Sequence, residues 1–232
     1  MMHNASMASA TRSYGGIAAE ERRATRRRLL MEAALDLFAE DGARGVSKRA
    51  VCARARLNDR YFYEHFTDSD ALLEAVVRDL TAQGLEAVGA ATREAPADIR
   101  GQVRATADAA LEFVTADPRI GKFVIGSSTS EPLQRARVDS TRAIAAAMSA
   151  SIRELLGDTA ASQLNTDLAA FALVSGATEV IVAWLRGEFD ISRQHVADLV
   201  AGLLLATADI STALPKSAGG VKAAQPDSAA NK

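Results

Sequence analysis

Apolar residues return at three- and four-residue spacing through most of this chain, and that periodicity predicts an all-α fold. Leu30, Ala33, Ala34, Leu37 and Phe38 form one stripe, and Leu72, Leu73, Val76, Val77 and Leu80 form another. Val103, Ala107, Leu111 and Val114 continue the pattern from about Ile99. Two long stripes close it, one within about 160–186 and one within about 193–214. Alanine and leucine are abundant and runs of β-branched residues are few, which again favours helix over strand. Asp117-Pro118 and Glu131-Pro132 end one helix and start the next, since proline suits a first helical turn. About nine helices are expected.

Charge divides the chain unevenly. Residues 22–65 hold eleven Arg/Lys against six Asp/Glu, whereas residues 66–232 hold fifteen against twenty-one. A basic segment on an acidic body points to a polyanionic partner for the first part only. Residues 1–20 lack a hydrophobic signal core and read as a disordered leader. Residues 215–232, rich in Pro, Gly, Ala and Ser without periodicity, read as a disordered tail. Between them the expected division is a basic helical unit at 21–67 and a second helical unit at 68–214.

The basic segment has its own punctuation. A helix is predicted from about Glu21 to Glu40, with Arg22, Arg23, Arg26, Arg27 and Arg28 in its first turns. The helix dipole disfavours cations there, so nearby phosphates or plain solvation must hold them. Gly42 and Gly45 break the helix, and Ser47 caps a second one from Lys48 to about Ala55. Cys52 reads as a small packed residue, and a single cysteine excludes an intrachain disulfide. Asn58 caps a third, short helix with Phe62 packed beneath it. A fourth begins near Thr67 or Asp68, with Thr67 and Asp70 at capping-box spacing. Two short helices joined by a tight turn make a helix-turn-helix when the second fits the major groove.

The run AALDLFAEDGARGVSKRAVCARARLNDRYFYEHFTDSDALL resembles the TetR family of bacterial regulators, most closely at LFAEDG and FYEHF. The resemblance implies a three-helix DNA-binding head on a helical ligand-binding and dimerisation body. Ser47 matches the residue that opens the second helix, Asn58 the cap of the recognition helix, and Tyr63 the tyrosine that touches a phosphate. His65 and Phe66 match the pair that closes the unit. Ser47, Lys48, Arg49, Arg56, Asn58, Asp59, Arg60, Tyr61, Tyr63 and His65 are therefore the candidate DNA-binding residues. Three departures from the pattern stand out. Arg56 occupies a turn position that is usually glycine, where positive φ costs an L-residue about 1–2 kcal/mol. Ser69 replaces a common lysine, so one phosphate contact is missing, with Arg60 or Arg56 as substitutes. Tyr61 replaces a threonine and either meets a thymine methyl or leans on a sugar.

The resemblance further implies a small-molecule pocket among the central helices. Phe113, Phe123, Met148, Phe171, Glu179 and Trp184 are its candidate lining, with ordinary core as the alternative for each apolar one. Glu179 stands out as a carboxylate between apolar stripes. The last two helices are expected to form a four-helix dimer interface through Ala177, Ile181, Leu199, Leu203 and Ile210; intramolecular packing is the alternative. Gly176 and Gly202 would allow close helix approach there.

The expected function is a homodimeric repressor that binds a palindromic DNA operator and is released by a small-molecule effector. The alternatives are a helical protein-interaction module and a regulator without an effector. Catalysis is not expected, because the three histidines lack metal-ligand spacing and no phosphate loop or nucleophile elbow is present. No cofactor, metal or membrane partner is expected, and the expected location is the cytoplasm.

Overall fold

The computed structural model describes the backbone of residues 7–127, 130–156 and 162–213, with side chains from Ala19 onward except at a few positions near helix ends. All regular elements among these residues are helical. The order is α1 (Met7–Asp41), a 3-10 turn at Gly42–Gly45, α2 (Lys48–Ala55), α3 (Asp59–Tyr63) and α4 (Ser69–Glu94). Then come α5 (Ile99–Ala116), α6 (Pro118–Gly126), α7 (Glu131–Leu156), α8 (Gln163–Leu185) and α9 (Arg193–Ala213). These are the nine helices expected.

Local chemistry sets most of the helix starts. The Ser47, Asn58, Asp68, Asp98, Asp117 and Ser162 side chains each accept a backbone N–H in the first turn of the helix that follows. One expected start is corrected. Thr67 does not cap α4; the Asp68 carboxylate accepts from Ala71 N at 2.8 Å, and Thr67 Oγ1 donates to Asp68. A charged acceptor satisfies the orphan amide more strongly than a hydroxyl does, and Asp68 adopts the extended backbone of a cap.

A second difference lies at the N-terminus. Helix α1 begins at Met7, not near Glu21, so residues 7–20 of the expected leader are helical. Once α1 is nucleated by its packed segment, each added residue needs no new nucleation, and Gly15-Gly16 does not stop it. Residues 1–6 and the tail at 215–232 lie outside the described residues.

The core clarifies how the two expected units relate. Leu30, Ala34, Phe38, Val51, Phe62, Leu72, Leu73 and Val76 form one buried cluster in the first four helices. Ile120 and Phe123 of α6 and Leu133 and Ala136 of α7 belong to that same cluster. The apolar core thus crosses the boundary drawn at 67/68. Phe38 and Phe123 meet with centroids 4.5 Å apart. A Cβ at Gly126 would lie 2.7 Å from the Phe38 ring, so α1 and α6 approach closely only because that position is glycine. Around this contact Arg119 pairs with Asp117 at 2.7 Å, Asp36 at 2.6 Å and Glu32 at 3.2 Å. Hydrogen bonds from Arg119 hold the Asp117 carboxyl below its ordinary range. Lys122 Nζ donates to the Ala39 carbonyl at 3.1 Å.

The body adds two smaller clusters. Ala107 and Leu111 of α5 pack on Val196, Ala197, Val200 and Ala201 of α9. Ala145 of α7 packs on Ala170 and Val174 of α8.

Candidate nucleic-acid interface

Helices α2 and α3 are joined by a turn whose critical residue is Arg56, at φ 54° and ψ 40°. It is the only non-glycine residue with positive φ among those described. Its amide donates back to the Ala53 and Cys52 carbonyls, which ends α2 in a left-handed cap. The strain expected from the sequence at this position is therefore present. Arg56→Gly is expected to raise stability by about 1 kcal/mol, or roughly 2–4 °C in Tm for a chain of this size. Because it also removes an exposed cation, the same variant should bind DNA more weakly. Its plot of log affinity against log salt should be shallower by about one phosphate contact. Thermal melts and a salt series check the two halves separately.

Below the turn, Phe62 is fully buried, with Phe66 6.0 Å away and Tyr63 edge-on at 5.7 Å. Val51 is also fully buried and Cys52 nearly so, which fits the packing role expected for the cysteine. Burial is the main cause pushing the Cys52 thiol up, so it stays protonated at neutral pH.

On the outer side, Ser47, Arg49, Arg56, Asn58, Asp59, Arg60 and Tyr63 are exposed and Lys48 is half-buried. Ser47 and Asn58 spend their side-chain oxygens on capping, at 3.2 Å from Ala50 N and 3.3 Å from Tyr61 N. Lys48 Nζ lies 2.6 Å from Asp59 and donates to the Tyr63 hydroxyl at 3.5 Å. The Asp59 hydrogen bond, and then that of Tyr63, raises the Lys48 pKa. The Arg60 side chain is 85% accessible and makes a 3.4 Å contact to Glu64, the C-cap of α3.

Two candidates are placed differently. Tyr61 is half-buried, with the Arg26 guanidinium 4.5 Å from its ring centroid. That contact sets one face of the ring against Arg26 of α1. His65 is also half-buried, and its Nε2 is enclosed without a hydrogen-bond partner. Burial first, then the positive field of Arg23, holds its imidazole below the usual pKa. His65 thus packs within the unit and does not face outward with the others.

The α1 arginines have a use that the sequence did not suggest. Arg23 donates to the Glu64 carbonyl at 3.3 Å, and Arg26 lies 3.7 Å from the Glu64 carboxylate. Arg27 sits over the Phe66 ring at 5.4 Å. Three of the five therefore fasten α1 to the end of α3, while Arg22 and Arg28 remain exposed. Glu64, overlooked as a site residue, is the hub of this arrangement. Its position four residues after Arg60 was the one readable signal.

The candidate pocket residues do not converge. Phe113 lines an apolar cavity of about 350 Å3 with Ala87, Ala109, Ala116 and Ile120, beside Glu112 and Asp117. Phe171 and Glu179 line a separate small recess with Arg137, Val138, Thr141 and Ser175. Phe123 is core, 2% exposed, and Met148 packs against the α7–α8 cluster. Trp184 packs near α9 and donates its indole N–H to the Ile191 carbonyl at 3.0 Å. Glu179 has an internal reason for its charge, an ion pair with Arg137 at 2.5 Å.

The expected dimerisation residues also divide. Ala177 and Ile181 pack against the α5–α9 cluster, whereas Leu199 and Ile210 are exposed and Leu203 is half-buried. The larger exposed stripe is Leu164, Leu168 and Phe171 on α8, where the sequence showed the apolar periodicity but singled out Ala177 and Ile181 for the interface and Phe171 for the pocket. By length and composition α8 is apolar enough to cross a membrane, yet only 22% of that stretch is buried. Asp167 and Glu179 interrupt it, each tied to an arginine of α7.

Comparison with known proteins agrees with this geometry. Residues 30–76 match the family model described as bacterial regulatory proteins, tetR family. The chain is 28% identical over 169 residues to the HTH-type transcriptional regulator BetI of Paraburkholderia phytofirmans, covering 71% of this chain and 83% of that protein. It is 39% identical over 70 residues to the HTH-type transcriptional repressor Rv3405c of Mycobacterium tuberculosis, covering 30% of this chain and 36% of that one. The fold is like that of a Syntrophomonas wolfei protein assigned to the TetR family, with TM-score 0.68, 16% identity and coverage of 80% and 95%. It is also like that of the fatty acid degradation regulator FadR from Bacillus halodurans, with TM-score 0.64, 16% identity and coverage of 78% and 94%. The capped α2–α3 pair, its basic outer face and the matched family model lead to one assignment: residues 30–76 are a helix-turn-helix unit of the tetR family of bacterial regulatory proteins, carried on a chain similar along most of its length to a helix-turn-helix transcriptional regulator.

Proposed function

We propose that this regulator is a homodimeric repressor that binds a palindromic operator in the cytoplasm and leaves it when a small molecule binds. The observation that carries the reading is the exposed face of α2 and α3, where Lys48, Arg49, Arg56, Arg60 and Tyr63 stand on a fully buried support of Val51 and Phe62. Cations of this kind bind phosphates and base edges, and a rigid support fixes their register. Two such heads reading one palindrome require a two-fold partner. The exposed Leu164, Leu168 and Phe171 of α8, with Leu199 of α9, supply an apolar surface for it.

The division of labour is a reading head at 21–67 and a body at 68–214 that carries dimerisation and effector binding. The cavity beside Phe113 borders α6 at Ile120, and α6 is fastened to α1 through Arg119 and Phe123. A ligand there acts on the head by favouring one α6 position over another. One observation favours a second reading, regulation without a small molecule: the six candidate pocket residues are dispersed over separate sites.

The test is selection of random duplex DNA by the purified protein at two salt concentrations. A palindrome is expected, with affinity falling steeply as salt rises. Recovery of no consensus by folded protein would overturn operator binding.

A further inference from the structure

The outer face of α3 carries one group that a phosphate-binding surface has no use for, the Asp59 carboxylate. It is 60% accessible and stands beside Arg60 among the exposed cations, where a polyanion would repel it. Lys48 neutralises it at 2.6 Å in the free protein. Neither cap requires it, because Asn58 caps α3 and Ser47 caps α2. Tyr61, the next candidate reader on this helix, is held against α1 by Arg26. With Tyr61 so held and the exposed Tyr63 matched to a phosphate by the family resemblance, base reading on α3 falls to Asp59 and Arg60.

A carboxylate is acceptor-only and needs a hydrogen-bond donor in the groove. Only cytosine N4 and adenine N6 offer donors there. Adenine sets its N7 acceptor next to that donor, which repels a carboxylate, whereas cytosine has only a C–H beside N4. The geometry points to Asp59 as a specificity-determining residue that selects a cytosine in each operator half-site. Lys48, released from the pair, turns to a phosphate. The inference rests on the proposed operator binding by this face.

The test is duplex selection with the full-length wild type, Asp59→Asn and Asp59→Ala, each confirmed folded by circular dichroism. Wild type should enrich a palindrome with cytosine at one symmetric position, preferred about tenfold over other bases. Asp59→Asn should shift that position toward adenine, which asparagine binds through N6 and N7. Asp59→Ala should lose the preference there and keep the rest of the palindrome. Both variants free Lys48 and should bind random-sequence DNA more tightly than wild type at low salt. Identical base preferences in all three proteins would overturn the role of Asp59 and leave operator binding intact. A wild-type palindrome without a symmetric cytosine would do the same. No enrichment by any of them would overturn operator binding itself, and the role of Asp59 with it.

Discussion

Phe62→Ala is expected to cost about 3–5 kcal/mol and to abolish operator binding. The ring is fully buried beside Phe66 in the cluster that holds α1, α2 and α4 together, and the exposed Tyr63 meets it edge-on. Helix α3 has five residues, far too few to persist without packing. A cavity beneath it therefore removes the reading surface as well as core stability. The loss is a large fraction of the 5–15 kcal/mol that usually separates folded from unfolded domains. Denaturant unfolding gives the energy, and DNA binding well below the midpoint gives the functional effect. A midpoint shift worth less than about 1 kcal/mol would contradict the support role assigned to this ring.

Leu164→Asp with Leu168→Asp is expected to yield a folded monomer whose operator affinity is lower by about 10²–10⁴-fold. Both side chains are more than half exposed in one subunit, at 52% and 54%, so their replacement leaves its core untouched. Exposed substitutions of this sort change monomer stability by only about 0.5 kcal/mol. In a dimer that buries the α8 stripe, four unpaired carboxylates would enter an apolar contact, and that desolvation outweighs the contact energy. Each head then binds one half-site alone and loses the advantage of linkage. Sedimentation shows the mass, and binding to whole and half operators shows the affinity. A double variant that remains dimeric would place the interface elsewhere.

The arrangement of α6 gives the body a direct mechanical link to the head. Arg119 ties it to Glu32 and Asp36, Phe123 packs at a tilt against Phe38, and Gly126 permits the close crossing. Because the core runs unbroken through this contact, the head does not swing as a separate bead. Helix α1, held by α6 in this way, in turn holds the end of α3 through Arg23 and Arg26.

What the sequence determined by itself was local. Helical spacing of apolar residues, together with caps and proline breaks, located the nine helices of the described residues, because burial and the 3.6-residue turn impose the same period, although α1 starts earlier than expected. The caps at Ser47 and Asn58 were legible too, since each depends on one side chain and the backbone within three residues, whereas the strained turn at Arg56 followed from the family resemblance, which places glycine there. Thr67 was misjudged because two adjacent residues were both capable of capping, and backbone geometry chose Asp68.

Only the tertiary structure decided which side chains meet across helices. Periodicity shows that Phe113, Phe123, Met148, Phe171 and Trp184 lie on apolar faces but not which faces oppose one another. The packing distributes them over separate sites. It likewise turned Ala177 and Ile181 inward and Leu164 and Leu168 outward, on a helix apolar around most of its circumference. Charge was the least local quantity. Arg23 and Arg26 were open to phosphates or to plain solvation until Glu64, about forty residues away in sequence, was brought beside them. A helical stripe specifies direction around its own axis, and partners are specified only when the axes cross.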